Sequence, residues 1–379
     1  MRLKSDTKRW LKQIVIFLCL IFSFTSCRKA ADLFTNPSPR EKHARQFSDN
    51  DPRLHTWWSS FGNVLEDSLT ITLPYRETGW FRGGRAYGYE FTAKRGQRLV
   101  IELICDDDSI PLFIDLYDDS GKSLMDESHI TSLSASYDIT SGGSYRIVLQ
   151  PGISTYTRFR LRLYTQPSYM MPVAGATNRS VQSFWGADRD GGRRSHEGID
   201  IFAVRGTPVV AAADGRISYT GEKGLGGKQV WQRESVFKSS LYYAHLDSIS
   251  ATSYQQVKAG DTIGFVGNTG NARTTAPHLH FGVYRSGRGA VDPYPFVRSR
   301  AVPVYISDSV SLRGRIKGEK LNVRISSSTA SDIIGTLSPA DTVTILGKTD
   351  DWSHVVARDS MRGFVYSNLL VPVPARPPL

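Results

Sequence analysis

The chain has 379 residues, 40% apolar and 22% charged, with a formal net charge of +11. That length fits two or three domains, and the composition excludes a disordered or low-complexity chain. The basic balance suits anionic partners such as acidic lipid or wall polymers, and the absence of any nucleic-acid motif argues against nucleic acid.

In chain order, the first element is an N-terminal leader. Lys4, Lys8, Arg9 and Lys12 precede an apolar run from Ile14 to Phe24, followed by Thr25, Ser26 and Cys27. A basic start, a short apolar run and a small-residue exit read as a secretory signal over residues 1–26. The run is too short to span a ~30 Å hydrocarbon core comfortably. Phe24-Thr25-Ser26-Cys27 resembles a bacterial lipobox, which implies cleavage before Cys27, acylation of its thiol and attachment to a membrane. No acidic tag follows Cys27, so the expected location is the bacterial envelope, facing the periplasm. Residues 1–26 hold five Lys/Arg and one Asp, so they carry four of the eleven charges and leave +7. Of the three cysteines, Cys19 departs with the leader and Cys27 takes lipid. Cys105 is left alone in an apolar run, as a small core residue rather than a nucleophile.

Residues 27–60, with Asn36-Pro37-Ser38-Pro39-Arg40-Glu41-Lys42, read as a polar tether after the acylated Cys. Residues 61–166 alternate with period two, as in Tyr87-Gly88-Tyr89-Glu90-Phe91, with turns at Lys94-Arg95-Gly96-Gln97, Asp118-Asp119-Ser120-Gly121 and Ser141-Gly142-Gly143. Short strands at this spacing predict an antiparallel β-sandwich. The order of strands and turns resembles the pre-peptidase accessory domain of secreted bacterial proteases. Residues 167–298 are rich in Gly and β signals, with no amphipathic helix longer than a few turns. Residues 303–371 form a third all-β unit. Its Trp352 and Gly363-Phe364-Val365 resemble bacterial SH3-like domains, a likeness that implies a small barrel able to bind wall peptides. A Pro-rich tail, 372–379, is expected to be unstructured. The fold class is therefore mainly β and multidomain.

The chemistry concentrates in the middle unit. His196-Glu197-Gly198-Ile199-Asp200 is not a helical zinc motif. Gly198 weakens a helix, Ile199 and Ile201 favour extended chain, and position 200 is not His. A loop leading into a strand can still present His196 and Asp200 to one metal. In Pro277-His278-Leu279-His280-Phe281 the two histidines share one face of a strand. His245, in Tyr242-Tyr243-Ala244-His245-Leu246, is by itself more often a packed strand residue.

Taken together, H-x-x-x-D, Y-A-H-L and H-L-H-F in this order resemble the lysostaphin-type (LytM-type) zinc metallopeptidases. The glycine framework around Gly198, Gly206, Gly215, Gly264, Gly267 and Gly270 matches as well. The resemblance covers about 110 residues. It implies an open antiparallel sheet with one Zn²⁺ held by His196, Asp200 and His280, and with His245 and His278 as catalytic histidines. One carboxylate and two neutral imidazoles would leave a divalent site with net charge +1, which lowers the pKa of solvent there toward ~7. In this reading His278 handles the water proton and a protonated His245 faces the oxyanion. The implied function is a zinc metalloendopeptidase cutting peptide bonds in peptidoglycan stems or cross-links. The alternatives are a non-catalytic regulator of other wall hydrolases, or a peptidase acting on glycine-rich proteins. A site lacking ligands would favour the regulator, whereas all five positions are intact here. Two features depart from the family. The loop 188–195 has no Tyr, and the rim Gly224-Leu225-Gly226-Gly227-Lys228-Gln229 replaces the usual Tyr-Gly-Asn.

Overall fold

The computed structural model describes residues 37–107, 109–129, 133–189, 191–305, 313–357 and 361–373. The leader, Cys27 and the last six residues lie outside the described residues. Among the described residues, no helix is long and apolar enough to cross a membrane.

The first finding corrects the expected tether. From Pro39 onward that segment is folded, as helices Pro39–Ala44 and Pro52–Glu66. Ser38 and Glu41 form a reciprocal capping box, and Asp51 caps the second helix, with Pro at the first helical position of each. Leu54, Trp57, Ser60 and Val64 form one buried stripe on the longer helix. Trp57 and Leu54 pack with Phe113 and Ile153, and Val64 with Ala86 and Val148, all from the sandwich. Burying one such large apolar side chain stabilises by about 1.5–3 kcal/mol. The Arg40 guanidinium is buried too, paired with Asp115, hydrogen-bonded to Gln150 (2.8 Å) and lying over Phe61. The capping box and the Asp51-Pro52 start are sequence signals that a reading based on polarity passes over.

Two sheets make the sandwich. One runs in the order Leu69–Thr70, Tyr87–Ala93, Gly143–Pro151, Leu112–Asp118, Ser123–His129. The other contains Tyr75–Arg82, Tyr156–Pro167, Gln97–Cys105 and Leu133–Asp138. Their inner faces supply Phe81, Tyr87, Leu99, Ile101, Ile114, Ile147 and Phe159 to one core. Cys105 is half-buried against that core, and burial pushes its thiol up to about 12, which suits packing and not nucleophilic work.

The C-terminal small barrel is not a separate bead. Its strand Thr342–Thr349 pairs with Tyr75–Arg82, so the second sandwich sheet runs directly into the barrel as an eleven-stranded sheet. At the seam Gly79 faces Gly347. A side chain at Gly347 would fall on the carboxylate of Glu77. Glu77, 1% exposed, accepts from His354 Nδ1 (2.8 Å), Tyr75 (3.1 Å) and Tyr89 (2.5 Å). Leu346, Val356 and Phe364 join the sandwich core, while Ile316, Leu321, Val323, Val355 and Val365 fill the barrel. The strand Leu370–Pro372 pairs with Arg313–Ile316, so the chain stays ordered into the start of the expected tail.

Between these regions lies an open, largely antiparallel sheet whose centre is the run Ile199–Phe202, His278–Arg285, Ser239–Ile249, Lys228–Arg233, Gly215–Glu222. It docks on the sandwich through Arg95, which donates to Phe237 O (3.0 Å), and through Ser168 N, which donates to Gly96 O (3.2 Å). Gly96, at φ +89°, sits flat against the Phe296 ring, where a side chain would collide.

Candidate metal centre

Strand register assembles the site. Asp200 lies opposite His280 in the antiparallel pair formed by Ile199–Phe202 and His278–Arg285, so both side chains leave the same face. On that strand His278 and His280 point to the groove, while Leu279 between them is fully buried. His196 precedes the strand, and its backbone is hydrogen-bonded in both directions to the loop before it, through Ala187 O (2.8 Å) and Gly186 N (3.0 Å).

His245 arrives by a different route. Strict alternation would send it into the core beside Tyr243. The pairing register with Lys228–Arg233 shifts between Tyr243 and Leu246, and His245 takes φ +64°. This bulge turns His245 to the groove and returns Leu246 to the core. A left-handed backbone at a non-glycine residue marks a position held by its surroundings.

The atoms His196 Nε2, Asp200 Oδ1 and His280 Nδ1 form a nearly equilateral triangle with edges of 3.1, 3.0 and 3.0 Å. Three ligands at about 2.0–2.1 Å in tetrahedral arrangement stand about 3.3 Å apart, so the cluster fits one such ion after a shift of a few tenths of an ångström. Among the described residues, these three have donor atoms that group as a possible metal site. Gly198 permits the geometry, because a Cβ there would lie 2.5 Å from Cε1 of His280.

Protons are placed by the carbonyls, which can only accept. His196 Nδ1 donates to Phe184 O (2.9 Å), leaving Nε2 as a lone pair directed into the triangle. His245 Nδ1 donates to Thr269 O (2.9 Å) and His278 Nδ1 to Ala276 O (2.8 Å), so both present a bare Nε2. Burial pushes Asp200 up, but the hydrogen bonds and charge that His196 and His280 supply when they carry an extra proton outweigh it and hold the carboxyl well below the usual carboxylate range. Burial, reinforced by His280 and His278, pushes His245 down to about 4. His245 is therefore neutral at pH 7, and a nearby dication would depress it further. The resemblance implies a protonated His245 facing the oxyanion, whereas in the resting site the ring is neutral.

The cluster floors an open groove of about 770 Å³, walled by Tyr242, Tyr284, Phe202, Leu225 and Arg194. Leu225 and Gly226 of the glycine rim close one side. The backbone at Gly227 and Gly270 approaches too closely there for a side chain on either. Tyr242 donates to Gln229 (2.5 Å). Sequence reasoning passed over Arg189 and Ser183. Arg189 Nη2 donates to Asp200 Oδ2 (2.8 Å) and to Ser183 Oγ (2.7 Å). An arginine and a serine beside a Gly-rich turn give no local signal of that role.

Residues 194–293 match the model described as peptidase family M23, and residues 319–371 match bacterial SH3 domain. The L-Ala–D-Glu endopeptidase of Bacillus subtilis is 37% identical over 142 residues, covering 35% of this chain and 43% of that protein. The DD-carboxypeptidase/endopeptidase Mpg of Neisseria meningitidis is 48% identical over 88 residues, 23% of this chain and 20% of that protein. The chain thus spans less than half the length of these relatives. Among solved structures, the catalytic domain of lysostaphin from Staphylococcus simulans is 35% identical, with 30% of this chain and 89% of that one covered at a TM-score of 0.28.

Proposed function

We infer that this chain, which carries a peptidase family M23 domain and a bacterial SH3 domain, is a zinc endopeptidase acting on peptidoglycan peptides. The observation that carries the reading is the triangle of His196, Asp200 and His280 on the floor of an open groove. Two imidazoles and one carboxylate with room for solvent is the donor set of a catalytic zinc rather than a closed structural one. The relatives named as an L-Ala–D-Glu endopeptidase and a DD-carboxypeptidase/endopeptidase support wall peptides as the substrate class.

Bound zinc would supply Lewis acidity, polarising the scissile carbonyl and acidifying solvent. The chain's own groups handle the protons. His245 and His278 offer Nε2 as acceptors for the proton of the attacking water, each ring oriented by its bond to a backbone carbonyl. Having gained that proton, an imidazole becomes the donor that the departing amine requires. Asp200 stays ionised throughout.

The sequence of the first 27 residues supports export and acylation at Cys27, with the enzyme held at the envelope facing the periplasm. The SH3-like region supports a wall-peptide contact that raises local substrate concentration. Incubation with purified peptidoglycan and mass analysis of released fragments tests the reading. New amino termini should appear and should vanish with EDTA. Fragments released equally from chelated enzyme would refute it.

A further inference from the structure

We propose that Arg189 is a positioning residue of the metal centre, dividing the two oxygens of Asp200 so that only Oδ1 is offered to the ion. This rests on the zinc reading above. Asp200 is 7% exposed and uses its oxygens differently. Oδ1 faces the two histidine ligands at 3.0–3.1 Å. Oδ2 accepts from Arg189 Nη2 at 2.8 Å. The same Nη2 donates to Ser183 Oγ (2.7 Å), and that hydroxyl lies 3.3 Å from His196 Nδ1. One guanidinium thus backs two of the three ligands from outside the triangle.

The arginine is held in register with the site. It lies on a short hairpin in which Asp188 pairs with Ser195 and Arg189 with Arg194, and the adjoining Ala187 carbonyl accepts from His196 N. A fixed cation occupies Oδ2. It restricts Asp200 to one-oxygen ligation and holds Oδ1 in the triangle beside the two histidines. An exposed ion pair of this length would contribute little. Here the carboxylate is nearly buried and is itself a ligand. Outer partners of that kind typically change metal affinity by about 10–100-fold.

The test measures zinc affinity of the full chain by competition with a chelator, for wild type, Arg189→Ala, Arg189→Lys and Asp200→Ala. Arg189→Ala should bind zinc about 10–100-fold more weakly. Arg189→Lys should recover part of the loss, since an ammonium restores the charge but not the planar fork. With cobalt in place of zinc, Arg189→Ala should show weaker visible absorption as freed Oδ2 adds to the coordination. The thermal midpoint of the metal-free proteins separates a general fold defect from a site effect. Arg189→Ala that binds zinc as wild type does, or more tightly, overturns the proposal and leaves the zinc reading intact. Wild type that binds no better than Asp200→Ala overturns both.

Discussion

The molecule contains two clusters built from nearly the same side chains, with opposite properties. At the seam between sandwich and barrel, one carboxylate, Glu77, meets His354, Tyr75 and Tyr89. In the groove, one carboxylate, Asp200, meets His196 and His280, with Tyr242 against the His280 ring. The seam is sealed, with His354 only 2% exposed, and three donors converge on two carboxylate oxygens. Both oxygens of that carboxylate accept at least one donor, while the far nitrogen of His354, Nε2, is buried without a partner. The groove cluster has the reverse balance. His196 spends its one proton on Phe184 O, so the triangle gathers electron pairs with too few hydrogens between them. Residue type does not tell a clamp from a reactive centre. The count of protons against lone pairs does, together with access to solvent.

That contrast can be broken by experiment. The largest effect is expected from His196→Ala, which should remove zinc and reduce hydrolysis to background, read by metal analysis and fragment release. If purified His196→Ala retains full zinc, the ligand assignment fails. His245→Ala comes next. It should keep its zinc but lose about 10²–10⁴-fold in turnover, the usual contribution of a positioned acid–base group. At the seam, Glu77→Ala should cost about 3–5 kcal/mol in denaturant unfolding, because it leaves His354 and two phenols buried without their acceptor. Zinc content of the folded fraction should not change. A Glu77→Ala protein that unfolds like wild type would mean the seam cluster is incidental.

The smallest effect is one of pH. The folded pKa of His245, about 4, lies below its ordinary 6.5, so between these values the folded protein binds fewer protons than the unfolded chain. The stability of metal-free protein from this group is complete above about pH 6.5 and is lost as pH falls through about 4. His245→Gln should flatten that part of the profile. Unchanged pH dependence would mean that the ring is not desolvated.

How much of this could be read in the sequence depends on how local the cause is. His278 and His280 share a face because strand geometry alone requires it, and the all-β character follows from alternation. The turn of His245 into the groove needs a bulge that alternation contradicts, and only the surrounding motif pointed to it. The folding of residues 39–66 was legible in principle, through Ser38-x-x-Glu41 and Asp51-Pro52, but a polar composition masked it. The seam had no local trace. Glu77 and His354 are 277 positions apart, and the need for glycine at 347 arises only once the two strands meet. Arg189 is similar, because its partner Asp200 lies across a turn whose register the sequence does not display.

The buried Arg40 sets a distance. Its pairing with Asp115 fixes the folded body from residue 39 or 40 onward. On the proposed acylation of Cys27, only a dozen residues separate the lipid from that fixed point. Fully stretched, they reach about 40 Å. On the proposed function, the peptidase would then work as if on a short leash. It would patrol a thin layer of wall just above the bilayer, and lengthening the stretch before Ser38, with the fold untouched, should extend its cutting to more distant layers.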